Sequence, residues 1–166
     1  MKKSLEFYVI AHNIRSLLNV GSIFRNADAF GVTKLYLTGY TGTPDHPIHA
    51  HKLTKVSLGA EKFVPWEYHS SPVRLIKNLR LKHSGITIIG LENNVSNGVR
   101  ISQLSKLKPK FPLVLVLGEE IGGIHKNVLK LCNLLVEIPM RGQKESLNVS
   151  VAFGVAAYEI SRHFAR

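Results

Sequence analysis

Two short, unbroken apolar runs limit the fold of this chain more than any other feature: Leu113–Leu117 (LVLVL) and Ile86–Leu91 (ITIIGL). Neither alternates with polar residues and both are short. Each therefore predicts a strand covered on both faces, as the strands of a parallel sheet are. Around them, strand and helix patterns take turns. Leu5–Ala11 predicts a first strand, followed by a helix from about Arg15 that stops near Gly31. Lys34–Thr38 predicts a second strand and Val64–Tyr68 a short edge strand, since Pro65 lacks a ladder donor. Pro72–Lys82 predicts a surface helix with Val73, Ile76 and Leu79 inward and Arg74, Lys77, Arg80 and Lys82 outward. Ile124–Cys132 predicts a short helix, Leu134–Ile138 another strand and Asn148–His163 a closing helix. Gly39–His51 and Glu92–Gly98 are polar and turn-rich, and they predict loops. The alternation indicates an α/β fold with a mostly parallel sheet. The 166 residues suit one domain, expected over 1–166 with no second domain appended.

Charge narrows the partner. Lys and Arg number 22 against 11 Asp and Glu, a net charge of +11, which favours a polyanion whose counterions are released on binding. No apolar run is long enough for a bilayer and no signal-peptide core is visible, so no membrane partner is expected. The single Cys132 cannot form an internal disulfide, in keeping with a reducing, cytoplasmic location, and it suits a small core position.

Several common chemistries are absent. His46, His49 and His51 stand beside Asp45 but lack zinc-ligand spacing, so they predict a solvated or RNA-facing loop and no metal. There is no GxxxxGK[ST] or GxGxxG, and Ser146 is not in a GxSxG elbow. Gly118, Gly122 and Gly123 follow a buried strand, where ligands bind in parallel sheets.

Three segments in order resemble the motifs of the SpoU-type (TrmH-like) RNA 2′-O-ribose methyltransferases of the SPOUT class. They are Asn19–Val32 (NVGSIFRNADAFGV), Leu115–Ile124 (LVLGEEIGGI) and Ile138–Glu159, above all IPM at Ile138–Met140 and SLNVSVA at Ser146–Ala152. The resemblance implies a Rossmann-like sheet with a C-terminal deep trefoil knot, an exception to the rule against threaded chains. It further implies S-adenosylmethionine as cofactor and a homodimer with the active site near the interface. Structured RNA is the implied substrate, with tRNA the first expectation and rRNA the second. A non-catalytic RNA-binding protein of the same fold is the alternative.

Residue by residue, the motifs place the catalytic set at Arg25, Asn19, Glu120, Ser146 and Asn148. The cofactor-binding set falls on Gly90, Leu91, Leu117, Gly118, Ile138, Met140 and Leu147, at the ends of three strands and in the last motif. Arg15, Arg25, Lys52, Lys55 and Arg141 are candidates for RNA contact, with Lys2 and Lys3. Arginine is a poor base in water, so Arg25 suits phosphate positioning, while the family pattern also allows a base role. Glu120 suits either a pair with Arg25 or a brace for its loop. Asn148 and Ser146 suit the ribose, or else a helix cap and local backbone amides. Ile121 and His125 depart from the family pattern, which often has glycine and serine at those positions.

Overall fold

The computed structural model describes residues 5–93 and 101–164; Lys2, Lys3 and the stretch from 94 to 98 of the predicted second loop lie outside them. Seven strands form one sheet: β1 (Phe7–His12), β2 (Lys34–Thr38), β3 (Trp66–His69), β4 (Thr87–Leu91), β5 (Ile101–Gln103), β6 (Leu113–Leu117) and β7 (Leu134–Glu137). Their order is β3-β2-β1-β6-β4-β7-β5, with every pairing parallel. The run LVLVL is the central strand, paired to β1 on one side and β4 on the other. All five of its residues are buried.

Side-chain alternation divides the core between the two faces. Phe7, Val9, Leu113, Leu115 and Leu117 pack with α1 (Leu17–Ala29) and α5 (Val149–Ser161) through Val20, Ile23, Phe24, Phe153 and Ile160. Tyr8, Ile10, Val114 and Val116 pack against α3 (Pro72–Lys82) and α4 (Lys126–Leu129) through Leu75, Ile76, Leu79 and Val128. Each fully buried Leu, Ile or Phe contributes roughly 1.5–3 kcal/mol relative to leaving it exposed. The resulting three-layer arrangement is Rossmann-like.

Most predicted elements coincide with the observed ones, and the departures have physical causes. The predicted loop Gly39–His51 contains the first half of α2 (Pro47–Ser57). Its signal was local: His46 caps the helix, accepting from Ile48 N, and Pro47 sits at the first turn, where a missing N–H costs nothing. Among the three histidines, His46 and His49 stack with ring centroids 4.0 Å apart, and His49 and His51 lie on the helix. Strand β5 was unforeseen because three residues carry no periodicity. The predicted helix Ile124–Cys132 shortens to α4, with Leu131 and Cys132 leading into β7. Leu75, rather than Val73, is the fully covered partner of Ile76 and Leu79 on α3.

Helix α1 starts at Ser16, whose hydroxyl accepts from Asn19 N, and runs close against α2. A Cβ at Gly21 would lie 2.6 Å from Leu53 O, so the glycine of the NVGSIFR segment is set by helix contact. Among the described residues, no helix is long and apolar enough to cross a membrane.

Candidate functional site

The carboxyl ends of β4, β6 and β7 converge on a cleft of about 310 Å³, closed by the segment that leads into α5. This is the edge of a parallel sheet where ligands bind, and the volume is at the lower end of small-molecule sites. Leu91, Leu117, Ile138, Leu147, Val149 and Ala152 form its apolar surface. Of the predicted cofactor set, Leu91, Leu117, Gly118, Ile138 and Leu147 line it. Gly90 and Met140 are not among the lining residues. Gly90 is buried within β4, where a Cβ would press on Leu135, Ile124 and Cys132, so its role in the sheet is packing.

The turn after β6 is a tight hairpin. Glu119 N donates to Gly123 O (3.2 Å) and Gly123 N to Glu119 O (3.1 Å), leaving Ile121 at the tip with 90% exposure. Gly123 has φ +64° and faces the Glu92 carboxylate, while a Cβ on Gly118 would overlap the backbone of Gly123. Gly118 is therefore required by close approach, and Gly123 by its left-handed turn conformation as well. His125 accepts from Asn127 N (3.3 Å) and so caps α4.

A chain of polar contacts runs along the rim of the cleft. Asn148 Nδ2 donates to Asn19 Oδ1 (3.1 Å), and Asn19 Nδ2 donates to Glu120 Oε1 (3.0 Å). Glu120 also accepts from the backbone N–H groups of Arg15 and Ser16, each at 3.3 Å. Burial pushes the Glu120 carboxyl up, but these hydrogen bonds together outweigh it and hold the pKa below the usual range. Asn148 Oδ1 meanwhile caps α5, accepting from Ser150 N (3.0 Å) and Val151 N (3.4 Å). The cap and the site are thus one side chain used from both ends. Ser146 is exposed and lines the cleft beside Asn148.

Arg25 stands apart. It is exposed on α1, six residues beyond Asn19, which is roughly 9 Å along the axis and roughly 120° around it. Among the described residues it forms no ion pair, and the expected alternative of a Glu120–Arg25 pair is not present; Glu120 braces the start of α1 instead. Of the other basic candidates, Lys52 and Lys55 are exposed on α2, Arg141 is exposed in the loop after β7, and Arg15 lies by the 119–121 turn.

Three residues were missed in the sequence. Glu92 and Asn93 follow β4 and line the cleft, and Asn26 on α1 donates to Ser150 O (2.9 Å), joining α1 to α5. All three act through side-chain bonds to distant backbone, which no local pattern reveals. The cleft's charge is also unexpected in a chain of +11: among the described residues, Glu92, Glu119, Glu120 and Glu145 line it, with no Lys, Arg or His. Among the described residues, none of these four is in an ion pair; Glu119 instead accepts from Tyr40 Oη (2.8 Å). Burial raises the Glu92 pKa, partly offset by the Ile124 and Asn93 N–H groups.

An apolar, carboxylate-rimmed cleft at the carboxyl edge of a Rossmann-like parallel sheet has the place and the lining of a small-molecule site in the α/β class. The family is more specific: the chain belongs to the SpoU rRNA Methylase family, whose model matches residues 6–158. A tRNA (guanosine(18)-2′-O)-methyltransferase of Aquifex aeolicus is 31% identical over 161 residues, covering 97% of this chain and 71% of that protein. The SpoU methyltransferase AviRb of Streptomyces viridochromogenes, solved with its cofactor AdoMet, superimposes with a TM-score of 0.82 at 26% identity. That match covers 96% of this chain and 58% of the other. A structure concerned with the 2-OH methylation of C/U34 on tRNA gives a TM-score of 0.79 at 25% identity and covers 95% of both chains. The chain spans 56–61% of the length of several other curated relatives.

Proposed function

We propose that this protein uses S-adenosylmethionine to methylate a ribose 2′-hydroxyl in structured RNA, with tRNA the first substrate and rRNA the second. The observation that carries the reading is the cleft itself. Its apolar walls and strand-end backbone suit an adenosine, and its glutamates suit a ligand that is cationic at sulfur and at the amino group. Leu91, Leu117, Gly118, Ile138 and Leu147 would hold the nucleoside, with Met140 nearby in sequence. Bound there, the cofactor supplies an electrophilic methyl group.

The chain's own residues position the acceptor. Asn19, Asn148 and Ser146 offer neutral donors and acceptors at the rim, suited to a ribose, and Glu120 keeps Asn19 in place. Arg25 is too far round α1 to join that chain of contacts, so it suits a target phosphate, gripped by a fork of N–H donors. A homodimer with the active site near the interface fits this placement. Val151, Val155 and Tyr158 form an exposed stripe along α5 at i, i+4 and i+7, and Leu18 is exposed on α1. Arg15, Lys52, Lys55 and Arg141 extend the cationic surface for RNA. We place the C-terminal knot of the class in the segment leading into α5, and the working compartment in the cytoplasm.

The test is methyl transfer from labelled S-adenosylmethionine to bulk tRNA and rRNA, followed by nucleoside mass spectrometry. A 2′-O-methylated nucleoside that disappears with Arg25→Ala is the expected result. Label on a base, or no transfer to either RNA by a protein that binds the cofactor, refutes the reading.

A further inference from the structure

The two residues after β4, Glu92 and Asn93, hold together both walls of the cleft. The Glu92 side chain takes one wall: its Oε2 accepts from Ile124 N at 2.7 Å, at the close of the 119–123 hairpin, and Gly123 packs directly on the carboxylate. Its Oε1 accepts from Asn93 N (3.1 Å), which fixes the carboxylate's orientation. The Asn93 side chain takes the opposite wall. Its Oδ1 accepts from Ile138 N (3.2 Å) and its Nδ2 donates to Ile138 O (3.0 Å), so the amide continues the β7 ladder as a backbone would. The same Nδ2 donates to Glu145 O (3.3 Å), reaching the segment that carries Ser146 and Leu147. The backbone is tied in as well, with Glu92 N donating to Val136 O (3.0 Å).

These bonds have a chemical logic. Three strand-end loops meet at the cleft, and the turn after β6 and the exit of β7 lie on opposite sides of β4 in the sheet order. A ligand inserted between them would push both apart. Asparagine is suited to one wall because it can donate and accept toward the two groups of a single residue. A carboxylate suits the other because it is acceptor-only and the groups it meets are amide donors. Burial makes that carboxylate costly, and the two N–H groups compensate only in part.

We infer that Glu92 and Asn93 are positioning residues that preorganise the cofactor cleft, Glu92 fixing the turn after β6 and Asn93 fixing the exit of β7 and the Glu145–Leu147 segment. This rests on the cofactor reading above. Preorganisation lowers the ordering cost of binding, so its loss weakens affinity for every ligand sharing the adenosine portion.

Calorimetry with S-adenosylmethionine and S-adenosylhomocysteine tests this on the wild type and on Glu92→Ala, Glu92→Gln, Asn93→Ala and Asn93→Asp. We expect Asn93→Ala and Glu92→Ala each to raise Kd about 10-fold or more for both ligands, the loss of one or a few hydrogen bonds. Glu92→Gln keeps an acceptor for Ile124 N but turns its NH2 toward Asn93 N, so it should recover only part of the affinity lost in Glu92→Ala. Asn93→Asp keeps the shape but loses both donations and should recover little. In turnover, the loss should fall on KM for the methyl donor more than on kcat. Wild-type protein that binds neither ligand overturns the cofactor reading and the inference with it. Wild-type binding with unchanged variant affinities overturns the inference alone. Hydrogen exchange on the wild type covers variants that fail to fold: the Ile124 and Ile138 amides should be protected before ligand is added. Free exchange there refutes preorganisation.

Discussion

Three glycines separate steric fit from backbone strain, and the cleft turns on the difference. A Cβ at Gly118 would overlap the carbonyl carbon and oxygen of Gly123 and the nitrogen of Ile124. Those atoms are backbone and cannot swing aside without opening the Glu119–Gly123 pair. Overpacking of this kind costs typically about 1–3 kcal/mol. Gly59 has φ +95° with nothing within 4 Å of its Cβ position, so Gly59→Ala carries only left-handed strain, roughly 1–2 kcal/mol. Gly142 has neither a positive φ nor a neighbour, so Gly142→Ala should be neutral or stabilise by up to about 1 kcal/mol through the unfolded chain. For a chain of this size 1 kcal/mol moves Tm by roughly 2–4 °C. Calorimetric melting should therefore show falls of roughly 2–12 °C for Gly118→Ala and 2–8 °C for Gly59→Ala, with little or no fall for Gly142→Ala. Only Gly118→Ala should also lose cofactor affinity, because only it displaces a cleft wall. Equal affinity losses for Gly118→Ala and Gly59→Ala, or a Gly118→Ala Tm within 1 °C of wild type, would refute the argument.

Asn148→Asp keeps the cap of α5 but cannot donate to Asn19 and faces Glu120 across it, so stability should stay within about 0.5 kcal/mol while methyl transfer falls sharply. Asn148→Ala should lose both, with about 1 kcal/mol seen in urea unfolding. His12 has its pKa lowered, first by burial and then by His125, against an opposing pull from Glu119. Below about pH 6.5 the unfolded chain takes up a proton that the folded chain resists, so stability falls as pH drops from that value toward the folded pKa. Urea midpoints from pH 8 to 5 should flatten in His12→Gln; an unchanged slope would count against the assignment. The Cys132 thiol is pushed up to about 11 by burial. Ellman's reagent should label it far more slowly in native protein than in denaturant, and equal rates would show the site to be open.

How much of this was legible in the sequence depended on whether the cause was local. LVLVL, KLYLT and the helix Pro72–Lys82 coincide with observed elements because hydrophobic period alone sets them. The first half of α2 was read as a loop because its prolines and histidines show no apolar period, even though its cap and first turn are local signals. At the site, motif resemblance found Asn19, Glu120 and Asn148, which the structure joins in one chain of hydrogen bonds. It also put Arg25 in the catalytic set without revealing that the residue stands clear of the cleft. Glu92 and Asn93 stayed hidden because their partners lie 32 to 52 residues away in sequence.

The central position of β6 has a consequence for synthesis on the ribosome. Strands β1 and β4 are made early, yet each pairs with β6, whose first residue is Leu113. Until that stretch leaves the exit tunnel, the nascent chain carries two buried-type strands whose inner edges have no partner. Such edges are templates for intermolecular pairing. Released fragments ending just before Leu113 should therefore be more aggregation-prone and more dependent on chaperones than fragments that include β6. Extending them by only the five residues of the LVLVL run should relieve much of that burden.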